Sequence, residues 1–381
     1  MSEQQPSGAA AGRRPRVAVV FGGRSNEHAI SCVTAGSVLA ALDPERYDVV
    51  PVGITHDGRW VLESDDPGRM SITSEDKLPE VDGSRAEVTL VTGSTASGLV
   101  VSEPGDVPRT LGDVDVVFPL LHGPWGEDGT IQGLLEMASV RYVGAGVLAS
   151  AVAMDKHYMK VVLQAHGVPV LPYAVITARG WEVDRAACVE TVDSLGYPVF
   201  VKPARGGSSI GISKVGDRAD LVAAVEEARR HDPKVLVEVA ARNAREVECG
   251  VLQGLGRDPA EASVVAEIQV DPAHEFYDFA AKYLPEENTV ATVPADLPDQ
   301  LTARVHELAL RAFEVLSCEG LARVDFFVLA DERVVVNEIN TMPGFTPSSM
   351  FPRMWQASGL DYPELVDRLL RLALERDTGL R

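Results

Sequence analysis

The chain reads as an α/β protein of more than one domain, and three observations carry that reading. The buried-strand pattern RVAVVFGG ends in glycines and is followed by Ile30, Val33, Val38 and Leu42 at helical spacing. Strand-like and helix-like segments then alternate to the end, and 381 residues at 45% hydrophobic content can bury two or three cores. In order, YDVVPVGI and VDVVFPLLHG read as further strands, with polar loop and weak strand between residues 65 and 95. The first domain is expected to close near Gly144. A helix over 149–164 carries Met154-Asp155-Lys156, and a second over 182–195 precedes the strand PVFVKPA. ISKV, a helix over 217–230 and VLVEV follow, then the strands REVECGVL and SVVAEIQV. Residues 271–298 are polar and Pro-bounded, a length of loop that in a compact domain points to function, often as a lid. A helix over 301–316, a hairpin and two short helices after Pro347 complete the series.

Charge and composition exclude several classes. A formal net charge of −21 argues against nucleic acid or an anionic membrane as partner, so any anionic ligand must be held by local cations. No apolar run approaches transmembrane length, and VAVVF is too short for a signal-peptide core. Cys32, Cys188, Cys249 and Cys318 show no zinc or CxxC spacing and read as reduced core residues of a cytoplasmic protein. Residues 1–12, rich in Ser, Gln, Gly and Ala, read as a disordered tail.

The hairpin LARVDFFVLADERVVVNEIN carries the most chemistry. A two-residue turn at Asp331-Glu332 would pair Ala330 with Arg333, Phe327 with Val336, Asp325 with Glu338 and Arg323 with Asn340. Two acids then stand opposed at about 5 Å between Cβ atoms, which destabilises a sheet unless a cation neutralises them. Two carboxylates and an amide oxygen are hard ligands suited to magnesium, which completes its shell with water and substrate phosphates. The alternative is an Arg323 salt-bridge network on a solvated sheet face. In KPARGGSSIGISKV, Lys202 ends a strand and glycines follow, a pattern in which backbone N–H groups and a lysine meet phosphate oxygens. It is neither a P-loop nor a dinucleotide fingerprint. Glu238 and Glu246 are placed to read an adenine edge and a ribose, Glu27 lies in the first turn of the first helix, and His122 follows a strand on a ligand-binding edge. Each of these has a bland counterpart as a solvated charge or loop residue.

Taken together, GGRSNEHAIS, LHGPWGEDGTIQG, MDK, VKPARGGSSIG, YDFAAKY, LARVDFF and NEINTMPGFTPSSM resemble the D-alanine–D-alanine ligase family of the ATP-grasp superfamily, in order from about Arg16 to the C-terminus. The resemblance implies a three-domain ATP-grasp fold, here 13–145, 146–240 and 241–381, with ATP between the last two. It implies ligation of two D-alanines through an acylphosphate, two magnesium ions with manganese as an alternative, a homodimer and a place in peptidoglycan precursor synthesis. By the same resemblance, Lys156 and Lys202 look like phosphate lysines, Glu238 and Ala241 like adenine contacts, Glu246 like the ribose ligand and Phe327 like the adenine-pocket wall. Asp325, Glu338 and Asn340 match metal ligands, and Lys282 a lid lysine. Glu27 resembles the acid that holds the first substrate's ammonium, linked to Ser208 and Tyr283, with His122 nearby. Arg323 and the Gly344 N–H resemble oxyanion stabilisers, and Ser349 with the Met350 N–H the pocket for the second carboxylate. A tyrosine at 283 favours an amine over the hydroxyl of D-lactate as second substrate. Gly206, and EVAA at the adenine hinge, depart from many family members.

Overall fold

Alternating buried strands and amphipathic helices build three sheets in succession. The computed structural model describes residues 13–64, 66–70, 78–91, 98–103, 106–207, 210–270 and 289–379. In the first sheet, β1 (Arg16–Gly22), β2 (Asp48–Ile54), β3 (Trp60–Leu62), β4 (Glu87–Val91), β5 (Gly98–Ser102), β6 (Arg109–Asp113), β7 (Val116–Pro119) and β8 (Arg141–Tyr142) lie in the order 6-5-4-3-2-1-7-8. β2, β1, β7 and β8 are parallel, and β3 to β6 extend the sheet antiparallel. Helix α1 (His28–Ala41) leads from β1 to β2, while α2 (Thr130–Met137) leads from β7 to β8 on the other side. The strand order therefore reverses between β1 and β7, and the loops leaving those strands share one crevice. Alternation on β1 explains its position at the centre: Val17, Val19 and Phe21 enter one core, Ala18 and Val20 another.

Next come α3 (Val147–Met154) and α4 (Lys156–Ala165), where a single helix is expected from the sequence. Asp155 interrupts it: its backbone is extended, and its carboxylate accepts from the N–H groups of His157 and Tyr158 as an N-cap. Asp184 splits the expected 182–195 helix in the same way into α5 (Ala178–Val183) and α6 (Arg185–Asp193). The second sheet comprises β9 (Tyr173–Ile176), β10 (Val199–Pro203), β11 (Ser213–Val215) and β12 (Val235–Val239), antiparallel in the order 11-10-12-9. With α7 (Arg218–Arg229) it closes a core of its own around Trp181, Val199, Val201, Leu221 and Val225.

The third sheet orders β13 (Arg245–Leu252), β14 (Glu261–Val270), β15 (Thr289–Thr292), β16 (Leu321–Val328) and β17 (Val334–Asn340) as 15-14-13-16-17. One face packs on α8 (Asp299–Val315) through Val305, Leu308 and Ala312, and on α3 and α4 through Ala149, Met159 and Leu163. The other face turns the half-buried Arg323, Asp325 and Phe327 away from that core. Part of the expected 271–298 loop is thus sheet, since Thr289–Thr292 is the edge strand β15. Residues 271–288 of that loop, the 1–12 tail and Ser208 lie outside the described residues, and Lys282 and Tyr283 with them. Finally α9 (Met350–Ala357) and α10 (Tyr362–Glu375) fold back, placing Phe351, Trp355, Leu365 and Leu369 in one core with Val19, Phe118 and Leu321. Burial of side chains of this size stabilises by about 1.5–3 kcal/mol each.

The hairpin differs from expectation in two places that cancel. Leu329, not Ala330, is bonded to Arg333, so the loop has three residues, and Glu332 within it adopts a positive φ of 65°. Phe327 consequently faces Val335, and Phe326 faces Val336. A bulge then inserts Asn337, after which Asp325 meets Glu338 and Arg323 meets Asn340 as the count of side chains requires. Without that extra residue Glu338 would turn to the core face.

Candidate active site

Glu27 is the N-cap residue of α1, one position before the first turn in which the sequence places it, and it stands at the mouth of the shared crevice. Across from it the β7 loop carries His122, Gly123 and Glu127. Gly123 has a φ of +73°, where a side chain is strained, and a Cβ there would come within 2.6 Å of a Glu27 carboxylate oxygen. His122 is buried, 3.3 Å from the Thr34 hydroxyl, with a backbone hydrogen bond to Met342. Burial pushes its basicity down, against the pull of Glu27.

Glu127 is a site residue that sequence reasoning missed. It accepts the Gly123 N–H at 2.7 Å and bonds the Met342 backbone, tying the β7 loop to the segment after β17. Burial, and then Glu27, push its carboxyl up to about 8. An acid whose folded value exceeds its unfolded one favours the folded state at low pH, and that stabilisation is lost as pH climbs through the folded value. Glu127→Gln is therefore expected to flatten the decline in thermal stability between about pH 4.5 and 8. Melting curves with an unchanged pH slope would assign the proton elsewhere.

On the third sheet, the Arg323 guanidinium forks onto Asp325, with both N–O distances 2.7 Å, and reaches Glu248 at 3.2 Å. Asn340 donates its amide to Asp325 at 3.0 Å. Glu248, opposite Asp325 on β13, adds a third acid across adjacent strands. The sequence signal was present in the alternation of Glu246 and Glu248 with buried Val247 and Cys249. Burial works against the Arg323 charge, but Asp325 and Glu248 override it and hold the guanidinium protonated. The network is thus real, yet it lies in a cleft rather than on a solvated face.

Lys156, the first residue of α4, places its ammonium 3.3 Å from Glu338 and donates to the Gly206 carbonyl at 2.8 Å. Glu27, His122, Lys156, Arg323, Glu338, Asn340 and Gly344 line one cavity, joined by Glu127, Gly206 and Gly207. Ser349 is the N-cap residue of α9 with no capping bond from its side chain, its hydroxyl accepts the Thr346 N–H, and Met350 is that helix's first residue. A helix N-terminus is suited to a carboxylate. A second group lies further along the third sheet and against the second: Glu246 faces Phe327, and Ala241 lies on the connection between β12 and β13. There the fully buried Glu238 is clamped by Lys202 at 2.7 Å and by Lys160 at 2.5 Å. Burial would raise the Glu238 carboxyl, but the two ammonium groups lower it. Lys160 also escaped the sequence reading, because a lysine beside the buried Met159 and Leu163 has no distinguishing spacing.

Family models described as "D-ala D-ala ligase N-terminus" and "D-ala D-ala ligase C-terminus" match residues 16–145 and 162–371. The chain belongs to the D-alanine–D-alanine ligase family. It is 59% identical to the D-alanine–D-alanine ligase of Streptomyces coelicolor, with 96% of this chain and 95% of that one covered. To the Mycobacterium bovis ligase it is 55% identical, with 97% and 98% covered. Among solved structures, the D-alanine-D-alanine ligase from Coxiella burnetii superposes with a TM-score of 0.79 at 36% identity, covering 95% of this chain and 94% of that one. A D-Ala:D-Ser ligase from Enterococcus faecalis gives 0.81 at 32%, covering 95% and 100%. The three-sheet architecture is accordingly the ATP-grasp fold of this ligase family.

Proposed function

We propose that this chain is an ATP-dependent ligase that joins two D-alanines into D-alanyl-D-alanine for peptidoglycan precursor synthesis. The observation that carries the reading is one cavity that brings the acid Glu27 together with a cationic and acidic cluster, Lys156, Arg323 and Glu338. A carboxylate oxygen of the first D-alanine attacks the γ-phosphorus of ATP, and the bond to the β-phosphate oxygen breaks to release ADP. The amine of the second D-alanine, having lost a proton, attacks the acyl carbon, and the bond to phosphate breaks. Glu27 holds the first ammonium, while Arg323 and the Gly344 N–H face the oxygen that gains charge at the acyl carbon. Ser349 and the Met350 N–H receive the second carboxylate, and His122 borders the first substrate.

Lys156 and Lys202 serve the phosphates. Glu238, Ala241, Glu246 and Phe327 hold adenine and ribose. Ser208, Lys282 and Tyr283 complete the assignment from the family pattern. Asp325, Glu338 and Asn340 fit a hard divalent cation by their oxygen donors. Among the described residues no group of three or more His, Cys, Asp and Glu side chains is placed to hold a metal ion, so a bound ion would take its other ligands from Asn340, phosphate and water. Two magnesium ions, or manganese in their place, would neutralise charge on the transferring phosphoryl group. Among the described residues no helix is long and apolar enough to cross a membrane. A cytoplasmic homodimer is the form we assign.

The test is phosphate release and dipeptide formation from ATP, magnesium and D-alanine, with D-lactate and D-serine as competing second substrates. Dipeptide from D-alanine alone at neutral pH is expected. A preference for D-lactate or D-serine there would overturn the substrate assignment, and no D-alanine-dependent phosphate release would overturn the reaction.

A further inference from the structure

The bulge that sets the register of Asp325 and Glu338 has a buried partner. The Lys160 side chain is 1% exposed and joins two places: its ammonium lies 2.5 Å from Glu238 at the end of β12 and donates at 3.3 Å to the backbone carbonyl of Asn337. Asn337 is the inserted residue at the β17 bulge, so its carbonyl sits where the ladder to β16 is interrupted. A backbone acceptor at such a position must find another donor when it is buried. Lys160 reaches it from α4, the helix whose first residue, Lys156, contacts Glu338.

We infer that Lys160 is a positioning residue that fastens the Asn337 bulge to Glu238, and thereby holds Glu338 opposite Asp325 as a metal ligand while fixing the carboxylate that borders Lys202. The inference deepens the proposed magnesium-dependent ligation and rests on it. Three features favour it over simple packing. A methylene chain alone would fill the space without need of a charge, and a buried ammonium is costly unless it is paired. The carboxylate it meets is already within 2.7 Å of Lys202, so Glu238 does not require a second cation for neutrality. Lys160 also contacts both the strand bearing Glu238 and the strand bearing Glu338, which belong to different sheets.

The experiment compares the full-length protein with Lys160→Met. Binding of Mn2+ in the presence of ADP is read from loss of the free-ion electron paramagnetic resonance signal, which needs no turnover. The KM for D-alanine and the thermal unfolding temperature are measured alongside. Weakening of Mn2+ binding by about tenfold is expected, the scale seen when a group that orients a metal ligand is removed. The KM for D-alanine should stay within about twofold, because the wall around Glu27 and His122 does not touch Lys160. Unchanged Mn2+ affinity in a cooperatively folded variant overturns the inference, as does a loss of D-alanine binding equal to the loss of metal binding. If Lys160→Met does not fold, Lys160→Met with Glu238→Gln is compared with Glu238→Gln alone, so that the loss of the adenine contact is common to both, and is read by the same Mn2+ criterion. Failure of the wild-type protein to make dipeptide would instead reject the proposed reaction, and that outcome is separate from the metal titration.

Discussion

Glu338→Gln is expected to lower kcat by about 10²- to 10³-fold while leaving thermal unfolding within a few degrees of wild type. The substitution keeps volume and hydrogen-bonding capacity but removes one negative charge from the pair formed with Asp325 across β16 and β17. Lys156 stands beside this carboxylate at 3.3 Å, so the change relieves as well as removes an interaction, and stability should respond little. Catalysis should respond strongly, because phosphoryl transfer depends on cations held where charge moves. Steady-state kinetics with saturating ATP and D-alanine, repeated across magnesium concentrations, provide the check. Near-normal turnover in the variant would remove Glu338 from the metal site.

Arg323→Met should be worse for the fold as well as for the reaction. The guanidinium is buried between Asp325 and Glu248, and removing one partner of a buried pair commonly costs about 3–5 kcal/mol. Two acids on neighbouring strands are then left facing each other, with Glu338 next to them. Chemical denaturation should show the loss. Magnesium should recover more stability in the variant than in the wild type, since a cation can occupy the negative field that Arg323 otherwise neutralises. If denaturation midpoints of the two proteins agree, or if magnesium stabilises them equally, the acids do not depend on Arg323. Activity should fall with it, for the same side chain is the one proposed to face the oxygen that becomes negative in the second step.

The fate of the hairpin shows what sequence could tell and what it could not. Alternation along LARVDFFVL and RVVVNEIN exposes which side chains share a face, because burial on the α8 side forces every second residue to be apolar. Loop length and bulge position are set by backbone geometry and by a distant lysine, which alternation does not encode. The two miscounts cancel at Asp325 and Glu338 and do not cancel at Phe327, which faces Val335. Helix ends at Asp155 and Asp184 were similarly hidden, since an aspartate is read as a solvated helix charge until its N–H partners are seen. Glu127, Glu248 and Lys160 escaped for another reason. Their significance comes from neighbours distant in the chain, such as Met342, Asp325 and Asn337.

The last helix also has a consequence for how the molecule can open. α10 seals the first and third sheets into a common interior, and Arg376 beyond it donates to the carbonyls of Tyr142 and Gly144. The four-stranded sheet shares none of that interior and keeps its own. A swing that admits a bulky nucleotide is therefore cheapest at the connections entering β9 and leaving β12, with Glu27 and Arg323 riding together on the stationary half. On the proposed assignment, the amino-acid pocket would stay assembled while the triphosphate comes and goes.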